Sequence, residues 1–294
     1  MKTRANDPPV LAQLRRLYHR RLFETCVRLR DGKTPNMADA SSRQSVALAQ
    51  GMIDRLRYKK GEGEVSAQAL GSSFAEATAN FLRDAFGRLM HIRPGDWEFS
   101  TSQGSGGITR FAQYAHITQL QKVLTEHPEL RASLGGDYLI APDIVVSRTP
   151  LADPEINARD LVVSAENMCA KRTPLRATNV EGSPAILHAS ISMKWSMRSD
   201  RAQNTRTEAL NLIRNRKGST PQIVVVTFEP LPSRLASIAM GTGDIDCTYH
   251  AALDELVDAA REVDPDGGQL ELIEMLVSGQ RLRDITDLPL DLAG

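Results

Sequence analysis

The stretch LHASISMKW, residues 187–195, carries the pattern on which the reading of this chain turns. Leu187, Ala189, Ile191, Met193 and Trp195 alternate with His188, Ser190, Ser192 and Lys194, the period of two that gives a β-strand one packed face and one polar face. A polar face turned to water ordinarily carries several charges. This one closes a Ser/His row with a single lysine, which marks Lys194 as a placed residue. Outward from it, YLI with DIVVS (138–147), LVVS (161–164) and QIVVVTFE (222–229) read as further strands of a buried sheet. Apolar residues at helical spacing occupy about 10–30, about 44–58, about 72–90 and about 108–126. In the third of these Phe74, Phe81, Leu82, Ala85, Phe86 and Leu89 recur, and Pro94 forces a stop by disfavouring helix at Arg93. Helices interleaved with β-branched runs predict an α/β fold, a mixed β-sheet core flanked by helices, and the 294 residues read as one domain.

Composition narrows the classes. A 41% hydrophobic and 24% charged chain is that of an ordinary globular protein. Cys26, Cys169 and Cys247 are few, odd in number and far apart, which suits reduced thiols in a cytosol and excludes a disulfide frame or a CxxC zinc site. No apolar run approaches the roughly 18 to 20 residues that span a bilayer, so no membrane partner is expected. Lys and Arg number 36, as do Asp and Glu, but unevenly: residues 244–294 hold 13 acids against 3 bases, leaving 33 bases against 23 acids before them. Between Lys194 and Lys217 seven bases stand against two acids, a basic stretch that suits either a solvated helix face or an anionic partner. SQGSGG (102–107) lacks the GKS or GKT ending of a phosphate loop and reads as a plain loop.

Asp143 follows Pro142 and opens the run Ile144–Val146, which puts its carboxylate at a sheet end. An Asp heading one strand and a Ser-x-Lys on a strand about fifty residues later is the PD…(E/S)xK arrangement of metal-dependent nucleases. Phosphodiester cleavage needs a divalent cation against the phosphoryl oxygens, an activated water, and a positive group to hold that water or meet the developing charge. Asp143 would hold the metal and Lys194 would orient the water. Carboxylates, the backbone carbonyl of Met193, and no Cys or His cluster make an oxygen set that suits Mg²⁺. Beyond Lys194 a helix of about sixteen residues is expected, capped by Ser199 or Asp200 and stopped at Gly218. Arg198, Asp200 and Arg201 crowd its start, where the dipole favours acids over arginines. Arg pairs bidentately with guanine and Asp accepts from cytosine, so the cluster suits reading G·C pairs in double-stranded DNA; a structural Arg–Asp ion pair is the other reading of the same residues.

These residues lie in longer segments that resemble a known family: HIRPGDW (91–97), LGGDYLIAPDIVVSR (134–148), residues 187–218 throughout, SRLASIAMGTGDIDC (233–247) and RLRDITDLPLDL (281–292). They resemble the NgoMIV-like type II restriction endonucleases, PD-(D/E)xK enzymes that cut sites with a CCGG centre. The resemblance implies a restriction-endonuclease-like fold, Mg²⁺ as cofactor, and Asp143 and Lys194 as metal-binding carboxylate and catalytic lysine. It places Ser192 where most such nucleases carry a glutamate, with Glu208, on the following helix, supplying the displaced acid. It makes Arg198, Asp200 and Arg201 readers of the CCGG core, and Ser41 (in NMADASSRQ) and Gln68 (in SAQALGSS) contacts to the outer base pair, giving the site GCCGGC. It implies a homotetramer of two dimers, each on one duplex. In one place the chain departs from the family: the glutamate expected directly after Phe74 is Ala75, with Glu76 next, and Glu76 is the candidate to stand in for that further metal-site acid. The runner-up readings are a sequence-specific DNA-binding protein with impaired catalysis, and a repair or recombination nuclease of the same fold.

Overall fold

The computed structural model of the 294-residue chain describes all residues except 1–6, 103–106, 128, 130–141, 168, 178–181, 198, 242 and 265–266. Its centre is a six-stranded mixed sheet of β4 (Trp97–Ser100), β5 (Ile144–Arg148), β6 (Ile186–Lys194), β7 (Gln222–Thr227), β8 (Cys247–His250) and β9 (Leu282–Asp284), in that spatial order. The β4–β5 and β5–β6 pairs are antiparallel, and the three pairs from β6 to β9 are parallel. A small sheet orders β2 (Thr34–Pro35), β1 (Arg28–Arg30) and β3 (Gly61–Glu62) near the start of the chain.

Both faces of the large sheet are covered, as parallel strands require. One face, carrying Ile144, Val146, Ala189, Ile191, Met193, Val224 and Val226, packs on a core built with α1 (Val10–Thr25), α2 (Arg43–Leu56), α3 (Ala67–Phe86), α8 (Leu253–Val263), α9 (Gly268–Ser278) and α10 (Leu288–Ala293). The other, carrying Val145, Leu187, Ile223 and Val225, packs on Phe111, Tyr114 and Ile117 around the start of α4 (Ala115–Glu126) and on Ala202, Ala209 and Leu212 of α6 (Ser199–Asn215). The short helices α5 (Asp153–Ile156) and α7 (Pro232–Ala239) complete the set among the described residues. No helix among them is long and apolar enough to cross a membrane, and all three cysteines are free.

The expected α/β layering holds, with local corrections. The strand expected at 161–164 is absent: Leu161 and Val162 are 81% and 61% exposed, and the Asn157 side chain occupies the backbone groups a ladder would use. Its Oδ1 accepts from Val162 N and Val163 N, and its Nδ2 donates to Val163 O, each at 2.9 Å. The first helix ends at Thr25, not near 30, because Asn36 clasps the chain on either side, donating to Cys26 O and accepting from Arg28 N. The third starts at Ala67, with the Ser66 hydroxyl accepting from Ala69 N, rather than near 72. The fourth is split into a 3₁₀ turn, Gly107–Arg110, and α4. The basic helix runs Ser199–Asn215, so Ser199 and Asp200 sit within its first turn.

The decisive strand also departs from strict alternation. Val146 pairs with Ala189 and Ser147 with Leu187, so His188 is an extra residue, a β-bulge. Leu187 therefore faces the α4–α6 core while Ala189, Ile191 and Met193 face the other. His188 leaves the polar row, its Nε2 paired with Leu292 O at 2.8 Å and its ring edge-on to Trp97. The rest of the row is not solvated, since Ser190 and Ser192 are buried beneath α6's side of the sheet.

Candidate active site

Antiparallel pairing of Ile144 with Ile191 sets Asp143 opposite the last residues of β6. Its Oδ2 accepts the Met193 N–H at 2.7 Å and lies 3.5 Å from Lys194 Nζ. Met193 thus meets Asp143 through its N–H. The lysine side chain is 18% exposed and the aspartate 42%, so the pair stands where sheet meets solvent.

Glu208 reaches this pair from α6. Ala202, Thr205, Ala209 and Leu212 are the buried ridge of that helix at three- and four-residue intervals. Glu208 lies on the flank of the ridge, and with Asn204, one turn earlier, it lines a cleft of about 710 Å³ shared with Met193 and Lys194. Burial pushes the Glu208 carboxyl above its ordinary value; Lys194 opposes the shift and Asp143 adds to it. Two carboxylates therefore approach one ammonium group at the end of β6. Among the described residues no three His, Cys, Asp or Glu side chains converge as a metal cage. An oxygen-only pair fits a hard cation that keeps much of its own water.

The opposite wall of the cleft is the start of α3 with Val65, Ala67, Leu70 and Gly71. At about 100° per residue, position 75 is turned by about 40° from Gly71 and position 76 by about 140°. Ala75 is buried in the hydrophobic core, Glu76 is exposed, and neither is among the described residues that line the cleft. The structure does not bring Glu76 to Asp143, Lys194 and Glu208. Ser192, two residues before Lys194 on the same strand, is buried.

Of the candidate base readers, Arg198 lies outside the described residues. For Asp200 and Arg201 only the backbone is described, in the first turn of α6. Gln68 is exposed in the first turn of α3, beside Ala67 and Leu70 at the cleft. Ser41 is exposed, and its N–H and hydroxyl both donate to Asp39 Oδ1. These bonds, with the Arg234 guanidinium, hold the Asp39 carboxyl down at about 2.

Two groups here escaped the sequence reading. Arg234 pairs with Asp39 across 195 residues of sequence, which no local pattern reveals. Glu229, fully buried, ends the β7 segment; an acid closing the run QIVVVTF was the available signal.

The family model described as NgoMIV restriction enzyme matches residues 18–294. The type II restriction enzyme NgoMIV of Neisseria gonorrhoeae is 46% identical over 288 residues, which is 97% of this chain and 99% of that protein. A solved complex of the restriction endonuclease PspGI with substrate DNA aligns over 99% of this chain and 94% of its own at 12% identity. Its TM-score is 0.26.

Proposed function

The chain belongs to the NgoMIV restriction-enzyme family and is a type II restriction endonuclease, and from that premise we propose that it hydrolyses double-stranded DNA at GCCGGC with Mg²⁺, through Asp143, Lys194 and Glu208. The observation that carries the reading is the 3.5 Å approach of Lys194 Nζ to Asp143 Oδ2, with Glu208 near enough for the charges of both to act on its carboxyl. Mg²⁺ bound by Asp143 and Glu208 would supply charge neutralisation at the phosphate and a more acidic water. Asp143 is kept in register for this by the Met193 N–H. Lys194, beside the carboxylate and still partly open to solvent, is set to orient the attacking water and to meet the charge that develops on phosphate oxygens. Glu208, already pushed toward its protonated form, is the acid whose ionisation a cation would favour most. Ser192 shapes the site without an acid of its own, and Glu76 has no part in it.

Sequence readout is assigned to Arg198, Asp200 and Arg201 at the C·G and G·C core and to Ser41 and Gln68 at the outer pair, on the family resemblance. The same resemblance supports one domain over residues 1–294, a homotetramer of two dimers, and work in a bacterial cytoplasm. Incubating the protein with Mg²⁺ and plasmids that carry or lack GCCGGC tests the activity: cutting confined to the first supports it, and cutting of both or of neither refutes it. Sedimentation as four chains, with a two-site plasmid cut faster than a one-site plasmid, tests the assembly.

A second reading, sequence-specific binding with impaired catalysis, is favoured by one feature of the sequence: Ala75 stands where the family resemblance implies a glutamate. Site-specific binding without detectable cutting at saturating Mg²⁺ would support it over the first.

A further inference from the structure

Glu229 stands just past the end of β7 with no exposed surface. Its two carboxylate oxygens are divided between two segments: Oε2 accepts the Met197 N–H at 2.6 Å and Oε1 the Leu231 N–H at 3.0 Å. Met197, itself fully buried, is the last residue before the Arg198–Arg201 cluster, and Leu231 immediately precedes α7. The Glu229 backbone is fixed as well, its N–H donating to Thr227 Oγ1 at 3.1 Å and its carbonyl paired with His250 Nε2 at 3.1 Å. The described neighbours that bear charge on the carboxylate are Arg234, whose Nη1 is 4.0 Å from Oε2, and Asp39 beyond it.

We propose that Glu229 is a positioning residue for sequence readout: its carboxylate ties Met197, the residue that precedes the Arg198, Asp200 and Arg201 cluster in sequence, to Leu231 ahead of α7, and so sets discrimination between target and other DNA without touching either. The proposal rests on the assignment of those three residues as base readers. A buried acid is a costly way to fasten a turn, because desolvation must be offset by its hydrogen bonds. Only the ionised form accepts from both N–H groups through both oxygens with no proton in the way. Burial pushes this carboxyl up to about 7, against the opposing Met197 and Leu231 N–H bonds and Arg234, so the tie changes state near neutral pH. His250, held down to about 4 by burial, stays neutral there and contributes no competing change.

The test is binding to a short GCCGGC duplex and a scrambled one, with Ca²⁺ replacing Mg²⁺ to prevent cutting. In the wild type, the ratio of the two affinities should fall about tenfold between about pH 8 and about pH 6, while binding to the scrambled duplex changes little. Glu229→Gln keeps the shape but can accept from only one of the two N–H groups. It should show the low ratio at about pH 8 already and no further change with pH. A wild-type ratio that is flat with pH, or a folded Gln variant with the full ratio, overturns this inference and leaves the cleavage reading standing. A wild type that binds both duplexes equally overturns both.

Discussion

Arg206 Nη1 lies 2.8 Å from Asp244 Oδ2, joining the basic helix α6 to the acidic C-terminal region of the chain. The same guanidinium donates to the carbonyls of Ser237, Ile238 and Met240, and it fills the space where a side chain at Gly241 would stand. Pairs of this kind recur: Arg15 with Glu255 and Asp284, and Arg55 with Glu262. The acidic C-terminal region is therefore folded against the basic body and partly neutralised by it, and it is not a solvated tail. Arg206→Ala should lower stability by about 1 to 3 kcal/mol, because it strands a buried carboxylate and several carbonyls. In a double-mutant cycle measured by urea unfolding, the Asp244→Ala change should then cost less in the Arg206→Ala background than alone. Additive costs would deny the coupling.

Asp143→Asn and Lys194→Ala should abolish cleavage while sparing specific binding, since neither group faces base edges in the proposed arrangement. Mg²⁺ should raise the thermal midpoint of the wild type, by relieving the opposition between Asp143 and Glu208, and should have little effect on Asp143→Asn. The paired readouts are a plasmid nicking assay and a melting curve with and without metal. Wild-type cutting by either variant would remove that residue from the machinery.

Arg198→Ala or Arg201→Ala should cost about 1 to 3 kcal/mol of discrimination at a G·C pair. Competition binding against duplexes altered at single positions measures this. A uniform loss across cognate and random duplexes would make the residue a phosphate contact.

The juxtaposition of Asp143 and Lys194 was legible because its signals are local. Asp143 heads its strand, Lys194 ends one, and the period of two tells the faces apart. What stayed hidden depends on tertiary partners. The bulge at His188 arises from how β6 pairs with β5, and Asn157 cancels a strand that composition alone favours at 161–164. β4 and β9 are four and three residues long and carry charges, so no apolar run marks them. Arg234 and Glu229 matter through contacts whose partners lie 195 and 32 residues away.

Arg15 joins α1 to the far edge of the sheet through Glu255 at 2.6 Å and Asp284 at 2.9 Å. Burial raises both carboxyl groups, but the bonds to Arg15 outweigh it and leave each below its ordinary value. Carboxyl groups held low in the folded state contribute stability that is present above their unfolded pKa and is lost as pH falls through the folded value. Arg15→Ala should destabilise by about 3 kcal/mol near neutral pH, because one buried and one half-buried carboxylate lose their partner. The gap between wild type and variant should narrow on acidification below about pH 4, where the wild type loses the same interaction. A gap in unfolding free energy that is constant from neutral to acid pH would show that packing, not charge, makes the difference.

The α3 wall of the cleft allows a direct test of the missing acid. Ala75 is about 40° around the helix from Gly71, which lines the cleft, whereas Glu76 is about 140° away. Glu76→Ala should therefore leave both the cleavage rate and the Mg²⁺ dependence near wild type. Ala75→Glu should lower the Mg²⁺ concentration that gives half-maximal rate if its carboxylate reaches Asp143 and Glu208, at a cost in stability because Ala75 is buried in the core. The two variants separate the possibilities when titrated side by side with metal. A large rate loss in Glu76→Ala without loss of cognate binding would mean that α3 turns or shifts when DNA and metal are bound, and that Glu76 serves after all. No gain in Ala75→Glu would mean that two carboxylates suffice for this site.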